Sequence, residues 1–366
     1  MIRERSPLIM PRRRFLGASA GIAALLYGGW LSTAHAQGVE KQMNMMGWAD
    51  YISPDNIAAW EEANGSFISY DAYASNDEMY TKLLLSPGQS GYDLGMNTDF
   101  MIPVMTANNL LSPIDKALVP NLANIRPEYA NQPFDPGNVY TIPKTTGSQG
   151  FIYDRSVVTR PMVNWQDFLE AVKGEASGRV SLLDDLISIA PLLWSQGISM
   201  NTTDLQALQG AEDRLGEFAP HVRMFNSYPV QDVASGAIVL AQTWNGNAKQ
   251  AIVASGNENL VFVYPGPISE LWLDSYHLPL GGKASKAAHS WINYVLDPEV
   301  AARETAYTGF LSPVAGIEKF LPESVVNDPL IFPPAEAIAR GERTIRNETY
   351  DRRIEIFTKF KAAAAG

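Results

Sequence analysis

Between residues 43 and 108 the chain alternates apolar runs with capped helices three times, and this rhythm restricts the fold more than any other feature. Residues 43–48 read as a buried strand, after which Ser53 and Pro54 open a helix that Gly65 stops. Residues 67–70 form the next expected strand. Ser75-Asn76-Asp77-Glu78 is a capping box, starting a helix through Leu85 that Pro87-Gly88 closes. A third strand is expected over 92–96, with a short helix over 100–108. A βαβαβ succession implies a parallel sheet with helices on its faces.

The middle repeats the theme less regularly. Strands are expected over 180–183, 237–243 and 260–264, and helices over 187–195, 203–218 and 247–254. In the 203–218 helix, Leu205, Leu208 and Leu215 share one side. After Pro265-Gly266-Pro267, residues 271–278 alternate and lead to a helix over 286–295. Residues 307–313 read as a loop, and a final helix starts near Tyr350. At 366 residues the chain has room for about two domains. Two α/β lobes fit, each a mostly parallel sheet flanked by helices, with more than one crossover between them.

Residues 1–36 differ from all that follows. Five arginines (Arg3, Arg5, Arg12, Arg13, Arg14) precede an uncharged stretch over 15–34, and Ala34-His35-Ala36 is the small-x-small pattern that a signal peptidase cuts. Arg12-Arg13-Arg14-Phe15-Leu16 fits the R-R-x-F-L core of a twin-arginine leader, so export to the periplasm and cleavage after Ala36 are expected. Losing those arginines and Glu4 takes the net charge from −11 to −15. That argues against nucleic acid as a partner and favours cations on approach. No later run reaches the roughly 20 apolar residues of a membrane span.

The chemistry is expected at the carboxyl ends of the parallel strands, where open α/β sheets place ligands. Trp48, Asp50 and Tyr51 follow the first strand; Thr98, Asp99 and Phe100 follow the third. Asp184 and Asp185 end the strand from Val180, Trp244 ends the strand from Ala237, and Trp272 and Asp274 lie beyond the proline turn. Aromatic faces beside carboxylates suit an organic ammonium, since the acid offsets its desolvation and each ring adds roughly 0.5–2 kcal/mol. Sugars also stack on Trp and bond to Asp, so these residue types leave both ligands open.

Several motifs carry a family resemblance. Gly47-Trp48-Ala49-Asp50-Tyr51-Ile52-Ser53-Pro54 resembles the first-strand motif of periplasmic spermidine/putrescine-binding proteins, and residues 73–83 (Tyr73-Ala74-Ser75-Asn76-Asp77-Glu78 onward) match a second segment. Tyr92-Asp93-Leu94, Pro133-Phe134-Asp135-Pro136, Leu183-Asp184-Asp185, Asn201-Thr202-Thr203-Asp204, Trp244-Asn245-Gly246 and Trp272-Leu273-Asp274-Ser275 follow in order. The resemblance implies a hinged, two-lobed periplasmic-binding-protein fold that closes over a polyamine and serves the permease and ATPase subunits of an ABC importer, acting as a monomer. It places the lobes at 37–147 with 271–317 and at 148–270 with 318–366. Trp48, Tyr51, Trp244 and Trp272 would form an aromatic box, Asp185 and Asp274 would bind ammonium groups, and Thr98 and Asp50 match a hydroxyl and an acid of the family.

The departures are as specific. Ser188 stands where polyamine binders often have Glu, Ala49 where a hydroxyl is expected, Phe100 in place of a site Tyr, and Thr344 in place of a Gln. The loss at Ser188 implies a smaller or less charged amine, or Asp99 acting as the substitute acid. Two other functions remain open. One is a secreted glycosidase using Asp185 and Asp274; the other is a sensor whose closed lobes dock on a receptor. Gly17-Ala18-Ser19-Ala20-Gly21 fits a hydrolase elbow but falls in the leader. With no cysteine and with His221, His277 and His289 dispersed, neither metal, cofactor nor catalytic residue is expected.

Overall fold

A computed structural model of the protein describes residues 38–365; the leader and its cleavage site lie outside the described residues. Eleven strands carry the architecture: β1 (Gln42–Gly47), β2 (Phe67–Ala72), β3 (Leu94–Thr98), β4 (Leu111–Ser112), β5 (Thr141–Asp154), β6 (Val180–Leu182), β7 (Val222–Phe225), β8 (Leu240–Trp244), β9 (Leu260–Val263), β10 (Ser269–Pro279) and β11 (Gly341–Glu342). Their order is β2-β1-β3-β10-β5-β8-β6-β7, with β4 and β11 on β10 and β9 on β5. β1 is parallel to β2 and β3, and β6 is parallel to β7 and β8. Between these two parallel blocks runs an antiparallel pair, β5 with β10.

β5 joins the blocks. Residues 141–148 pair with β10, whereas Gln149–Asp154 pair with β8 and β9. No strand is expected there from the sequence. The segment reads Thr-Ile-Pro-Lys-Thr-Thr-Gly-Ser-Gln-Gly, without the apolar run of a buried strand, yet it is buried almost throughout. Two of its hydroxyls find distant backbone partners: Thr145 and Thr146 donate to Leu311 O at 3.0 Å and Trp272 O at 2.6 Å. Gly147 is required because a Cβ there would lie 2.4 Å from the Trp272 ring. Trp272 can approach β5 this closely because that position has no side chain.

Helices cover both blocks and divide the core. Around β1 and β3, Met43, Met45, Leu94 and Met96 pack with Trp60 and Trp291, whose rings meet edge to face at 5.8 Å. Around β6 and β8, Phe151, Trp165, Phe168, Trp194 and Leu240 pack with Phe360 of the last helix, Tyr350–Ala364. Each such buried side chain contributes about 1.5–3 kcal/mol. Trp244 packs against both cores. None of the described helices is long and apolar enough to cross a membrane.

Local differences from the sequence reading have physical causes. Ser53 makes no side-chain cap; Pro54 alone starts that helix. Ser75 does accept from Glu78 N at 3.2 Å, but Glu78 returns to Ala74 N rather than to Ser75, so the box is half formed. The expected 203–218 helix breaks at Arg214 into Leu205–Asp213 and Leu215–Phe218, and Leu205 is exposed. Residues 307–308 end the helix Pro298–Thr308 instead of belonging to a loop. That helix is capped by Asp297, and Trp165–Lys173 by a complete Asn164–Asp167 box; neither helix is in the sequence reading.

Candidate functional site

The ends of β1, β3 and β8 meet β10, and the aromatic side chains there form a continuous edge-to-face chain. Tyr73 contacts Trp48 at 5.0 Å between ring centroids, Trp48 contacts Tyr51 at 5.2 Å, and Tyr51 contacts Phe310 at 6.0 Å. Phe310 continues to Trp272 at 5.1 Å, and Trp272 to Trp244 at 6.0 Å. These separations lie in the favourable range for aromatic pairs, so the rings hold one another in place. All four expected box residues belong to this chain. Phe310 and Tyr73 were not expected; Phe310 lies within the segment, 307–313, that reads as a loop.

Asp274 lies against this wall. It is directly opposite Thr98 in the β10–β3 ladder, and the Tyr51 hydroxyl donates to its Oδ2. Its Oδ1 is buried and has no protein partner. Burial pushes the Asp274 carboxyl up to about 7, although the Tyr51 and Thr98 hydroxyls and the Lys144 ammonium pull downward. Thr98 is itself clamped by Asn76, whose amide donates to Thr98 Oγ1 at 3.0 Å and whose carbonyl accepts from Thr98 N at 3.0 Å.

Lys144 sets this end of the site. Its ammonium lies 4.1 Å from the centroid of the Tyr51 ring and donates to Tyr51 O at 2.9 Å and to Glu304 Oε1 at 3.2 Å. Glu304 in turn accepts from Ser53 N at 3.0 Å and from Asn56 Nδ2 at 2.9 Å. The pair is almost completely buried and fastens the loop after β1. Sequence reading missed Lys144 because it sits on β5.

The other expected carboxylates fall differently. Asp99 is buried and ion-paired with Arg343. Burial nevertheless pushes its carboxyl up to about 6, against the Arg343 guanidinium. Asp185 is half-buried at the start of a helical turn and accepts from Ile187 N at 3.1 Å; burial pushes it up to about 6 as well. Asp184, by contrast, is exposed and paired with Lys361 at 2.5 Å. Asp50 is exposed at φ +53°, outside the group of buried acids, where its charge adds to the burial that raises the Tyr228 and Tyr307 hydroxyls.

Ser188 is buried. It lines a small apolar cavity with Phe168, Leu169, Val172, Leu192 and Phe360, inside the core around β6. It sits in the helical turn that follows Asp185, and its N–H donates to Asp185 O at 2.9 Å. Phe100 and Thr344 border a cleft of about 860 Å³ together with Asp99, Arg343 and Tyr350. The Thr344 hydroxyl donates to Glu270 Oε1 at 2.7 Å. Arg353, fully buried, holds this wall by donating to Ile345 O and Asn347 Oδ1, each at 2.9 Å. Neither Arg343 nor Glu270 was expected; Glu270 was detectable as the residue two before Trp272 in an alternating strand.

Two parallel blocks linked by long antiparallel strands, with aromatic rings and acids where they meet, define a protein that captures a small solute. The chain belongs to the bacterial extracellular solute-binding protein family, whose family model matches residues 56–333. It is 30% identical over 315 residues to the spermidine/putrescine-binding periplasmic protein of Escherichia coli, covering 85% of this chain and 88% of that one. A putrescine-binding periplasmic protein of the same organism is 27% identical over 342 residues, with 88% and 92% covered. Among solved structures, a putative spermidine/putrescine ABC transporter protein from Listeria monocytogenes superposes with a TM-score of 0.81 at 28% identity, covering 88% of this chain and 99% of that chain. The expected two-lobed periplasmic-binding-protein fold is the fold of these relatives.

Proposed function

We propose that the protein captures a linear polyamine-like cation of the putrescine/spermidine class between its lobes and delivers it to the permease and ATPase subunits of an ABC importer. The observation that carries this reading is the pairing of buried, under-satisfied acid with aromatic surface. Asp274 Oδ1 has no protein partner, and the carboxyls of Asp185 and Asp274 are both pushed upward by burial. A neutral sugar would leave those acids costly to ionise, whereas an ammonium group offsets their desolvation directly. Trp48, Tyr51, Trp244 and Trp272 would cover the methylene segments. The names of the relatives point the same way.

Three further parts of the reading go with it. Export by the twin-arginine route would place the protein in the periplasm as a soluble monomer. The lobes would divide near 147/148, 270/271 and 317/318, consistent with β5 changing partners at Ser148–Gln149. Ligand would favour closure because only then do both lobes contribute contacts. The test is calorimetric titration of the purified protein, unfolded and refolded to strip ligand, with putrescine, spermidine, cadaverine, agmatine, cationic amino acids and neutral sugars. Micromolar or tighter binding of a di- or triamine is expected. Binding of a sugar with silence across the amines would overturn the ligand class.

A further inference from the structure

Glu270 is a buried acid whose Oε2 has no protein partner among the described residues, and it plays no part in the reading above. It is 5% exposed; Oε1 accepts from Thr344, and Oε2 has no partner. The acids around it are differently placed. Glu342, opposite it on β11, accepts from Trp194 Nε1 at 2.6 Å and Met200 N at 2.7 Å. Asp99 is held by Arg343, and Asp185 accepts from Ile187 N. Among the described residues no lysine or arginine bonds Glu270. Its neighbours Asp185, Asp99 and Glu342 add repulsion to a burial that already raises its carboxyl well above the ordinary range.

Strand geometry connects Glu270 to the site. Side chains alternate along β10, so Glu270, Trp272 and Asp274 share one face, and the two acids are separated by about 13 Å of strand with an indole between them. Acid, aromatic ring, acid at this spacing matches a linear molecule with a cation at each end and methylenes in the middle. We infer that Glu270 is a ligand-binding carboxylate whose Oε2 takes the second ammonium group of a linear di- or triamine held at its other end by Asp274. This rests on the amine reading of the site and adds a determinant of ligand charge to it. A monoamine then engages Asp274 alone, so Glu270 selects for the doubly charged ligand.

The test compares Glu270→Gln with the unaltered protein. Glutamine keeps the shape and the Thr344 bond but removes the charge, and it reproduces a permanently protonated glutamic acid. Calorimetric titration with spermidine, putrescine and n-butylamine is expected to show at least a thirtyfold loss for the tighter-binding polyamine in the variant, and a change below threefold for butylamine. Equal polyamine affinity in both proteins would overturn the inference and make Glu270 a neutral structural acid, leaving the amine reading intact. If the unaltered protein binds none of the three amines, the amine reading fails and the inference falls with it. Should the variant fold poorly by thermal melting, proton release by the unaltered protein decides the question. Titration at pH 6.5 in two buffers of different ionisation heat should show more protons released by the polyamine than by butylamine. Equal release counts against Glu270.

Discussion

Asp274 and Glu270 are two acids on one face of one strand, and their surroundings differ in kind. Asp274 is set in an aromatic wall and backed by a buried cation, Lys144, whose own partner Glu304 anchors the loop carrying Tyr51. Glu270 is set among acids, and a threonine hydroxyl is the hydrogen bond it receives from the protein. The first end is assembled before a ligand arrives: rings, hydroxyl and ammonium are already in place. The second end holds charge that the protein itself does not offset. Rigid preorganisation lowers the cost of ordering on binding, whereas uncompensated charge makes binding depend on the ligand's own charge. One end therefore contributes position and the other selectivity.

The largest way to break this contrast is at its rigid end. In Lys144→Met, Glu304 keeps a buried carboxylate without its cation, a change that costs about 3–5 kcal/mol in comparable buried pairs. Denaturant unfolding at neutral pH should register that loss in the midpoint. The Tyr51 loop should loosen with it, so amine affinity falls too, although Lys144 contributes no attraction for a cation. If stability is unchanged while affinity rises, Lys144 acts only as a competing charge and the preorganised end is wrongly described.

Next in size is the titration of Asp274. Its folded carboxyl is pushed up to about 7, above the unfolded value, so its contribution to the stability of the free protein is full in acid and lost as pH rises through about 7. Ligand binding has the opposite dependence because the cation needs the ionised acid. Amine affinity should weaken about tenfold per pH unit below 7, or about a hundredfold by pH 5. Asp274→Asn should lose a comparable factor at pH 8 and show a flatter pH profile, while its melting advantage over the unaltered free protein should be largest at pH 8 and shrink toward pH 4. An unchanged profile in the variant would assign the pH dependence to other groups, Asp185 and Asp99 first.

How much of this was readable beforehand follows the same division. The preorganised end carries strong local signals: a strand ending in Trp48 and Tyr51, a proline-started helix, and an alternating segment with Trp272 and Asp274. Periodicity and capping suffice to bring these to strand ends. Lys144 was hidden because β5 is buried yet polar, and its hydroxyls are paid for by partners more than a hundred residues away, such as Leu311 and Trp272. Arg343 and Thr344 lie in a segment without periodicity, positioned by Arg353 from the following helix. Long-range polar contacts determine these positions, and such contacts leave no periodic pattern in the chain.

The smallest expected effect lies at the charged end and concerns Arg343. Its guanidinium neutralises Asp99 and so removes one negative charge from the surroundings of the ligand. In Arg343→Gln, Asp99 loses the cation that opposes its burial, and its carboxyl moves further upward from about 6. At pH 6 Asp99 of the unaltered protein is about half protonated, so the substitution changes the local charge by only about half a unit, and affinity for a polyamine should change less than about twofold. At pH 8.5 that proton is released and one extra negative charge faces the ligand. Across about 8 Å of water-like medium this is worth roughly 0.5 kcal/mol, or two- to threefold tighter binding. Adding Asp99→Asn to the variant should abolish the gain. Titration at the two pH values in all three proteins checks the sign. A gain as large at pH 6 as at pH 8.5 would mean that Arg343 repels the ligand directly, and Glu270 would then have to act against a cation as well as among acids.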